Sequence, residues 1–275
     1  MTRDAASGPL ILGASGRIGR AFQSLWQDGH WPAVAAPVWH GRHGGDLVWD
    51  MQTPVPAMVP QARGVIVLAG LTKGDPAALD ANRRVALAAL ALARRTGLGP
   101  VLLCSSSSVY GRAPGPHPEG GPAHPANPYG AAKLAMEAAV AGEPGVTCLR
   151  IANVPGADDL LLAAARGRVA LDRFADGSAP QRHYIGPLTL ARTLLALLDA
   201  GALPPVLNLA QPGLVAMDAL LSAAGCPWDW RPAPDSALPS LALDTVRLQA
   251  IIPLPAAAPD QLVAEARAAG WRPAP

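Results

Sequence analysis

Three glycines spaced three apart, Gly13, Gly16 and Gly19, stand between the apolar run "PLILGAS" and the residues Ile18, Phe22, Leu25 and Trp26. Those four recur at the spacing of one helical face, so a strand must turn sharply into a helix within a few residues. Glycine lets the backbone make that turn and come close to a ligand, while the first helical turn offers free N–H groups and a positive dipole. The segment is either a plain glycine-rich turn or a cradle for a dinucleotide pyrophosphate. Its place directly after an N-terminal strand favours the cradle. The candidate cofactor contacts here are Gly13, Ser15, Gly16, Arg17, Ile18 and Gly19.

The alternation continues along the first half. "AVAAPVW", "GVIVLAG" and "PVLLCSS" read as further strands, with a long Ala-rich helix from about Pro76 to Arg95 between the last two. Strand, helix, strand in order implies right-handed crossovers and a parallel sheet whose ligands sit at the carboxyl ends of the strands. The expected fold class is α/β: a doubly wound parallel sheet over residues 1–150, with a segment of about 183–210 returning to it. Residues 151–182 and 211–275 are expected to build a small C-terminal lobe. The stretch from Ala113 to Pro128 is rich in Pro and Gly and reads as a surface loop entering a helix; the tail "PDQLVAEARAAG" reads as an amphipathic helix stopping at Gly270.

Composition narrows the function classes. With 22 Lys and Arg against 20 Asp and Glu, and no basic stripe, nucleic acid is excluded as an expected partner. The apolar segment "LTLARTLLALL" is broken by Arg192 and falls short of the roughly 20 residues that span a bilayer. The N-terminal apolar stretch is too short for a secretory signal, so a cytoplasmic protein without membrane partners is expected. Cys104, Cys148 and Cys226 are in no metal or redox spacing and read as reduced core thiols. His40 and His43 lack a matching carboxylate or thiol, so no metal site is expected.

Two stretches carry the candidate chemistry. In "NPYGAAK", Pro128 suits a first helical turn, and Tyr129 and Lys133, four apart, share a face. An ammonium beside a phenol favours phenolate, drawing the ordinary tyrosine pKa of about 10 toward the range of a general acid/base. An ordinary amphipathic helix would show the same pair. In "SSSSVYG", from Ser105 to Gly111, the hydroxyls form a loose loop or one of them faces a substrate; the residues alone leave this open.

Taken together, the glycine loop, "SSSSVYG" and "NPYGAAK", in that order and at those separations, resemble the extended short-chain dehydrogenase/reductases, the NAD-dependent epimerase/dehydratase group. "LAG" at Leu68, Ala69 and Gly70, Asn82, Glu119, "RIANVPG" from Arg150, "DGSAPQRHYI" and "LNLAQPG" are similar to further family segments. The resemblance implies a Rossmann-type fold with a small substrate-binding lobe, and cofactor contacts from Leu68, Ala69, Gly70 and Asn82. It implies that Ser106 orients the reacting oxygen, Tyr129 transfers the alcohol proton, and Lys133 holds the nicotinamide ribose while lowering the Tyr129 pKa. Ser107, Asn153 and Arg182 would face a sugar or nucleotide-sugar substrate, Arg182 through its phosphate, and a homodimer would form through the Asn82 and Tyr129 helices. His117 and His124, in the Pro-rich loop, either touch substrate or are simply solvated.

Two departures matter. Ser107 and Ser108 stand where the family's sugar 4,6-dehydratases carry Asp-Glu, which disfavours water elimination, and Thr189 stands where many relatives have Asp. For the cofactor, the second strand ends in "VWHGRHGG" rather than in an acid that would bind ribose hydroxyls. His40 and Arg42, helped by Arg17, favour NADP over NAD through a bidentate Arg–phosphate contact; the alternative is that Asp46 or another acid meets the ribose. Asp50 and Met51 are candidates for the adenine edge. The expected activity is a reductase or dehydrogenase moving hydride between nicotinamide and a sugar keto or hydroxyl carbon. An epimerase with tightly held NAD is the alternative, and a non-catalytic cofactor-binding protein is a third.

Overall fold

Leu10–Leu12 forms strand β1, buried on both faces, as a strand covered by helices on each side must be. The computed structural model describes residues 7–31 and 35–274; "AVAAPVW" and the N-terminal segment fall partly outside the described residues. After β1 come α1 (Arg17–Gln27), β2 (Val38–Gly41), β3 (Leu47–Val48) and β4 (Val65–Val67). The Ala-rich helix is interrupted at Asp80 into α2 (Pro76–Leu79) and α3 (Ala81–Thr96), Asp80 bonding the side chains of Arg83 and Arg84. Then follow β5 (Val101–Ser106), a 3-10 turn (Ser107–Tyr110), α4 (Pro128–Ala139) and β6 (Val146–Ile151).

The second half contains α5 (Asp159–Ala164), β7 (Val169–Arg173), β8 (Gln181–Arg182), α6 (Pro187–Asp199) and β9 (Val206–Leu209). It ends with β10 (Val215–Ala216), α7 (Met217–Ala224), β11 (Trp228–Pro232), β12 (Ser240–Leu241), α8 (Val246–Ile251) and α9 (Pro259–Ala268). Seven strands make one parallel sheet in the order β3-β2-β1-β4-β5-β6-β9. The order reverses beside β1, so the carboxyl ends of β1 and β4 open a crevice for a ligand.

Alternate strand residues serve opposite faces. Ile11, Ile66, Leu102, Leu149 and Leu207 pack with Phe22 and Leu25 of α1, Leu190 and Leu194 of α6 and Leu248 of α8. Leu10, Leu12, Val65, Val67 and Leu103 pack on the other side with Ala86 and Leu90 of α3 and Met136 of α4. Segment 206–209 thus returns to the main sheet as β9. Two small sheets, β10-β8-β12 and β11-β7, lie outside the main one, over a separate cluster that includes Leu161, Tyr184, Leu220 and Leu262. Among the described residues no helix is long and apolar enough to cross a membrane.

Candidate functional site

At the carboxyl ends of the main strands lies a cleft of about 910 Å³, lined by Gly16, Arg17, Ile18, Leu68, Gly70 and Asn82 on one side and by Ser106, Tyr129, Lys133 and Asn153 on the other. Gly13 turns at φ +96°, and a Cβ there would sit 2.5 Å from the Ala69 amide nitrogen, so only glycine fits between the two strand ends. Gly16 begins α1 in an extended conformation without any side-chain cap. The first N–H groups of α1 are left for a ligand anion, as a pyrophosphate cradle requires.

α4 begins with Pro128 at its first turn and Asn127 as its cap, whose Oδ1 accepts from the Gly130 amide at 2.7 Å. That start fixes Tyr129 and Lys133 on the cleft-facing side. Lys133 is buried, its Nζ donating to the Cys104 carbonyl at 2.7 Å and lying 6.0 Å from the Tyr129 ring centre. Burial pulls the Lys133 ammonium down to about 8. Tyr129 is held above the usual tyrosine range by burial, opposed by the Ser106 hydroxyl and by the Arg17 charge. The expected lowering of the Tyr129 pKa by Lys133 is therefore corrected: the lysine is turned toward the Cys104 carbonyl, and the downward pulls come from Ser106 and Arg17.

Of the four serines, Ser106 faces the cleft beside Tyr129 and also accepts from the Ser108 amide at 3.1 Å. Ser105 donates to Glu137, which is paired with Arg150 at 2.7 Å beneath the site. Ser107, expected at the substrate, is buried and off the cleft wall because the 3-10 turn points it inward; Ser108 lines the cleft in its place.

Asn82 is fully buried, its Nδ2 donating to the carbonyls of Leu71 and Leu79. Its Oδ1 has no partner among the described residues and would lie 2.4 Å from a Cβ on Gly70, with Lys133 Nζ 3.4 Å from the same point. A buried unpaired acceptor beside an ammonium and a glycine fits a ligand with hydroxyl groups.

The end of β2 differs from expectation. His40 is buried; its Nδ1 accepts from the Gly13 amide at 3.1 Å and its Nε2 sits 2.8 Å from the Trp49 carbonyl. It braces the glycine turn instead of facing an adenosine phosphate. Asp46 accepts from the Trp39 amide at 2.8 Å, Asp50 from the Gln52 amide at 3.0 Å, and Met51 is drawn into the core, while Arg42 stays exposed. Arg17 turns away from this edge: its Nη1 is 3.1 Å from Asp159 and donates to the Ala157 carbonyl at 3.2 Å. Ser15 is exposed, and Leu68 and Ala69 both donate backbone N–H groups to the Leu12 carbonyl.

Toward the substrate lobe, Asn153 lines the cleft, but Arg182 does not, because its guanidinium donates to the carbonyls of Gln181, Leu238 and Pro239. His117 is stacked on Tyr110 at 4.7 Å and buried, a packing strut, whereas His124 is exposed. Glu119 accepts from the Asn208 amide at 3.0 Å. Arg20, Lys73, Asn127, Asp158 and Met217 also line the cleft without having been singled out in the sequence. Asn127 had a signal, an Asx residue directly before Pro128; Arg20 and Met217 had none.

The family model for the NAD dependent epimerase/dehydratase family matches residues 9–173. The chain belongs to that family. No curated protein matches the sequence. Among solved structures, the epimerase/dehydratase fold is shared with RMD from Pseudomonas aeruginosa complexed with NADPH, at 22% identity and a TM-score of 0.74 over 96% of this chain and 98% of that one. UDP-glucose 4-epimerase from Brucella ovis in complex with NAD is 21% identical with a TM-score of 0.73, covering 94% and 96% of the two chains. DesIV, a dTDP-glucose 4,6-dehydratase from Streptomyces venezuelae with NAD bound, is 17% identical with a TM-score of 0.72, covering 96% and 98%. Of these neighbours, RMD is a complex with NADPH and UDP-glucose 4-epimerase a complex with NAD.

Proposed function

We propose that the protein is an NAD(P)-dependent oxidoreductase acting on a keto or hydroxyl carbon of a sugar or nucleotide sugar, with Tyr129 as its acid/base. The reading rests chiefly on the meeting of Ser106, Tyr129 and Lys133 on one wall of the cleft, opposite the uncapped start of α1. Gly13, Gly16, Ile18, Gly19 and the α1 amides would hold the pyrophosphate, and Asn82 and Lys133 the ribose beside the nicotinamide. When bound, the nicotinamide accepts or returns a hydride. Tyr129 gives up or receives the substrate hydroxyl proton at its phenol oxygen. Ser106 orients the substrate oxygen, and Lys133, lowered by burial only to about 8, keeps its ammonium at neutral pH and donates it to ligand hydroxyls.

NADP is preferred over NAD on this reading. The acids near the β2 end, Asp46 and Asp50, are committed to backbone amides, and the exposed Arg42 is the group left to meet a 2′-phosphate. An epimerase that keeps its NAD is the second reading, supported by an equally close likeness to UDP-glucose 4-epimerase. Elimination of water lacks support at Ser107 and Ser108, neither of which is acidic.

One experiment tests both the site and the reaction. Tyr129→Phe is expected to lower turnover about a thousandfold or more while leaving NADPH affinity within twofold, read by steady-state kinetics and nicotinamide fluorescence. Unchanged turnover would remove Tyr129 as the acid/base. Retained nicotinamide in the purified protein, with sugar interconversion and no added cofactor, would transfer the assignment to the epimerase.

A further inference from the structure

The second strand ends on a histidine whose protonation state the hydrogen bonds fix. His40 is 3% exposed, and its Nδ1 lies 3.1 Å from the Gly13 amide nitrogen. An amide N–H only donates, so Nδ1 must be bare and the ring proton sits on Nε2, which donates to the Trp49 carbonyl at 2.8 Å. The Trp49 indole packs against the imidazole at a steep angle, ring centres 5.8 Å apart. The His40 backbone carbonyl also accepts from the Ala14 amide at 3.1 Å. One residue thus holds two successive amides of the glycine turn, Gly13 by its side chain and Ala14 by its backbone. On its other side Gly13 abuts the Ala69 backbone, so the turn is set between β2 and the end of β4.

We propose that neutral His40 is a positioning residue for the dinucleotide: it sets the Gly13–Ala14 turn, and protonation of its ring releases the Gly13 amide and weakens cofactor binding. The inference rests on the dinucleotide-binding reading above and deepens it. An imidazolium would direct an N–H at the Gly13 N–H, and two donors cannot share a bond. The turn would keep only its backbone tie to β2, and the α1 amides that follow would lose the alignment a pyrophosphate needs. The groups around His40 do not stand in for that contact. The flanking strands β1 and β3 carry no titratable residue. Arg42 and His43 are exposed, and Asp46 and Asp50 are held on the Trp39 and Gln52 amides. At the start of α1, Arg17 faces Asp159 and Arg20 donates to the Ser15 carbonyl. Burial holds the His40 ring below the ordinary 6.5, against the pull of the Trp49 bond, so the turn stays intact at neutral pH and loosens only in acid.

His40→Asn keeps an acceptor at the Nδ1 position and does not titrate; His40→Phe keeps the buried ring without an acceptor. Wild type and both variants would be titrated with NAD+ and NADP+ by calorimetry from about pH 7.5 to about pH 5, so that each dinucleotide's own ionisation cancels between proteins. At neutral pH His40→Asn is expected to bind within about threefold of wild type, and His40→Phe about five- to tenfold more weakly. As pH falls below about 6.5, wild-type affinity is expected to drop by about threefold or more relative to His40→Asn, because the proton competes with the Gly13 bond. Equal pH slopes in wild type and His40→Asn, or a His40→Phe protein that binds as tightly as wild type, would overturn the positioning role and leave the dinucleotide reading standing. Lower melting temperatures with no change in that slope would make His40 a brace of the fold alone and overturn it too. If neither variant folds, wild type decides: NAD+ has no 2′-phosphate to titrate, so a fall in its affinity toward about pH 5 upholds the role and a flat profile overturns it. A wild type that binds neither nucleotide would overturn the dinucleotide reading and this role with it.

Discussion

Asp158 carries a stability consequence independent of any ligand. Burial raises its carboxyl from the ordinary aspartate value of 3.8 to about 7, so the folded chain holds that proton more tightly than the unfolded one. Below about pH 4 both states are protonated and there is no difference. As pH rises from 4 to 7 the unfolded chain ionises first, and folding loses stability that it does not regain at higher pH. Asparagine carries no such charge and still caps α5. Thermal melts of Asp158→Asn against wild type should therefore separate progressively from pH 4 to 7, with the variant gaining, and stay parallel above 8. A constant difference across that range would mean the carboxyl is not held in its protonated form. The β2 end shows what single residues conceal: His40, Arg42 and Asp46 were legible as types near an adenosine site, but their directions were not. Whether a histidine turns to a phosphate or back to the Gly13 amide is decided by packing against Trp49, which no local pattern records.

Helix α4 joins the cleft to the core because Tyr129, Lys133 and Glu137 lie at successive fourth positions. Glu137 holds Arg150 through both carboxylate oxygens, each side chain 6% exposed, and Arg150 lies 4.8 Å over the Tyr110 ring. Removing one partner of such a pair strands a buried charge. Glu137→Ala should cost roughly 3–5 kcal/mol of stability in urea unfolding, and Glu137→Gln, which still accepts hydrogen bonds, clearly less; equal losses would show that the carboxylate's charge, not its hydrogen bonding, carries the pair. The strands β1, β4 and β5 and the helices α1 and α4 were legible because their apolar periods and their glycine and proline boundaries are local. Strand β6 was not, since Thr147 and Arg150 interrupt its apolar run and are satisfied only by the Pro204 carbonyl and Glu137 from elsewhere. The carboxylate missing at Thr189 is supplied in the same non-local way: Glu265 of α9 accepts from the Thr189 amide at 2.8 Å and its hydroxyl at 2.7 Å. Short strands of two residues, such as β8 and β12, leave no periodic trace at all.

At the scale of the whole molecule, the chain's last helix ties the two sides of the cleft together. Glu265 meets the start of α6, and Trp271 packs on Gly156 and donates its indole N–H to the Leu161 carbonyl at 2.8 Å, bracing the turn that carries Asp158 and Asp159. Across the mouth, Arg17 at the start of α1 reaches that turn through Asp159. Arg17 is an expected cofactor contact of the glycine loop, so on the proposed reading the Asp159 carboxylate competes with the dinucleotide for its guanidinium. The pair is partly solvated, with side chains 33% and 74% exposed, and exposed ion pairs contribute at most about 1 kcal/mol. Releasing Arg17 by Asp159→Ala should therefore tighten NADPH binding by no more than about fivefold, whereas Arg17→Ala should weaken it. The gain from Asp159→Ala should shrink as salt rises from 0.05 to 0.5 M, since screening already loosens the exposed bridge in wild type. If Asp159→Ala weakens NADPH binding instead, Arg17 serves the cofactor only while Asp159 holds it in place, and the bridge orients the glycine loop rather than competing for it.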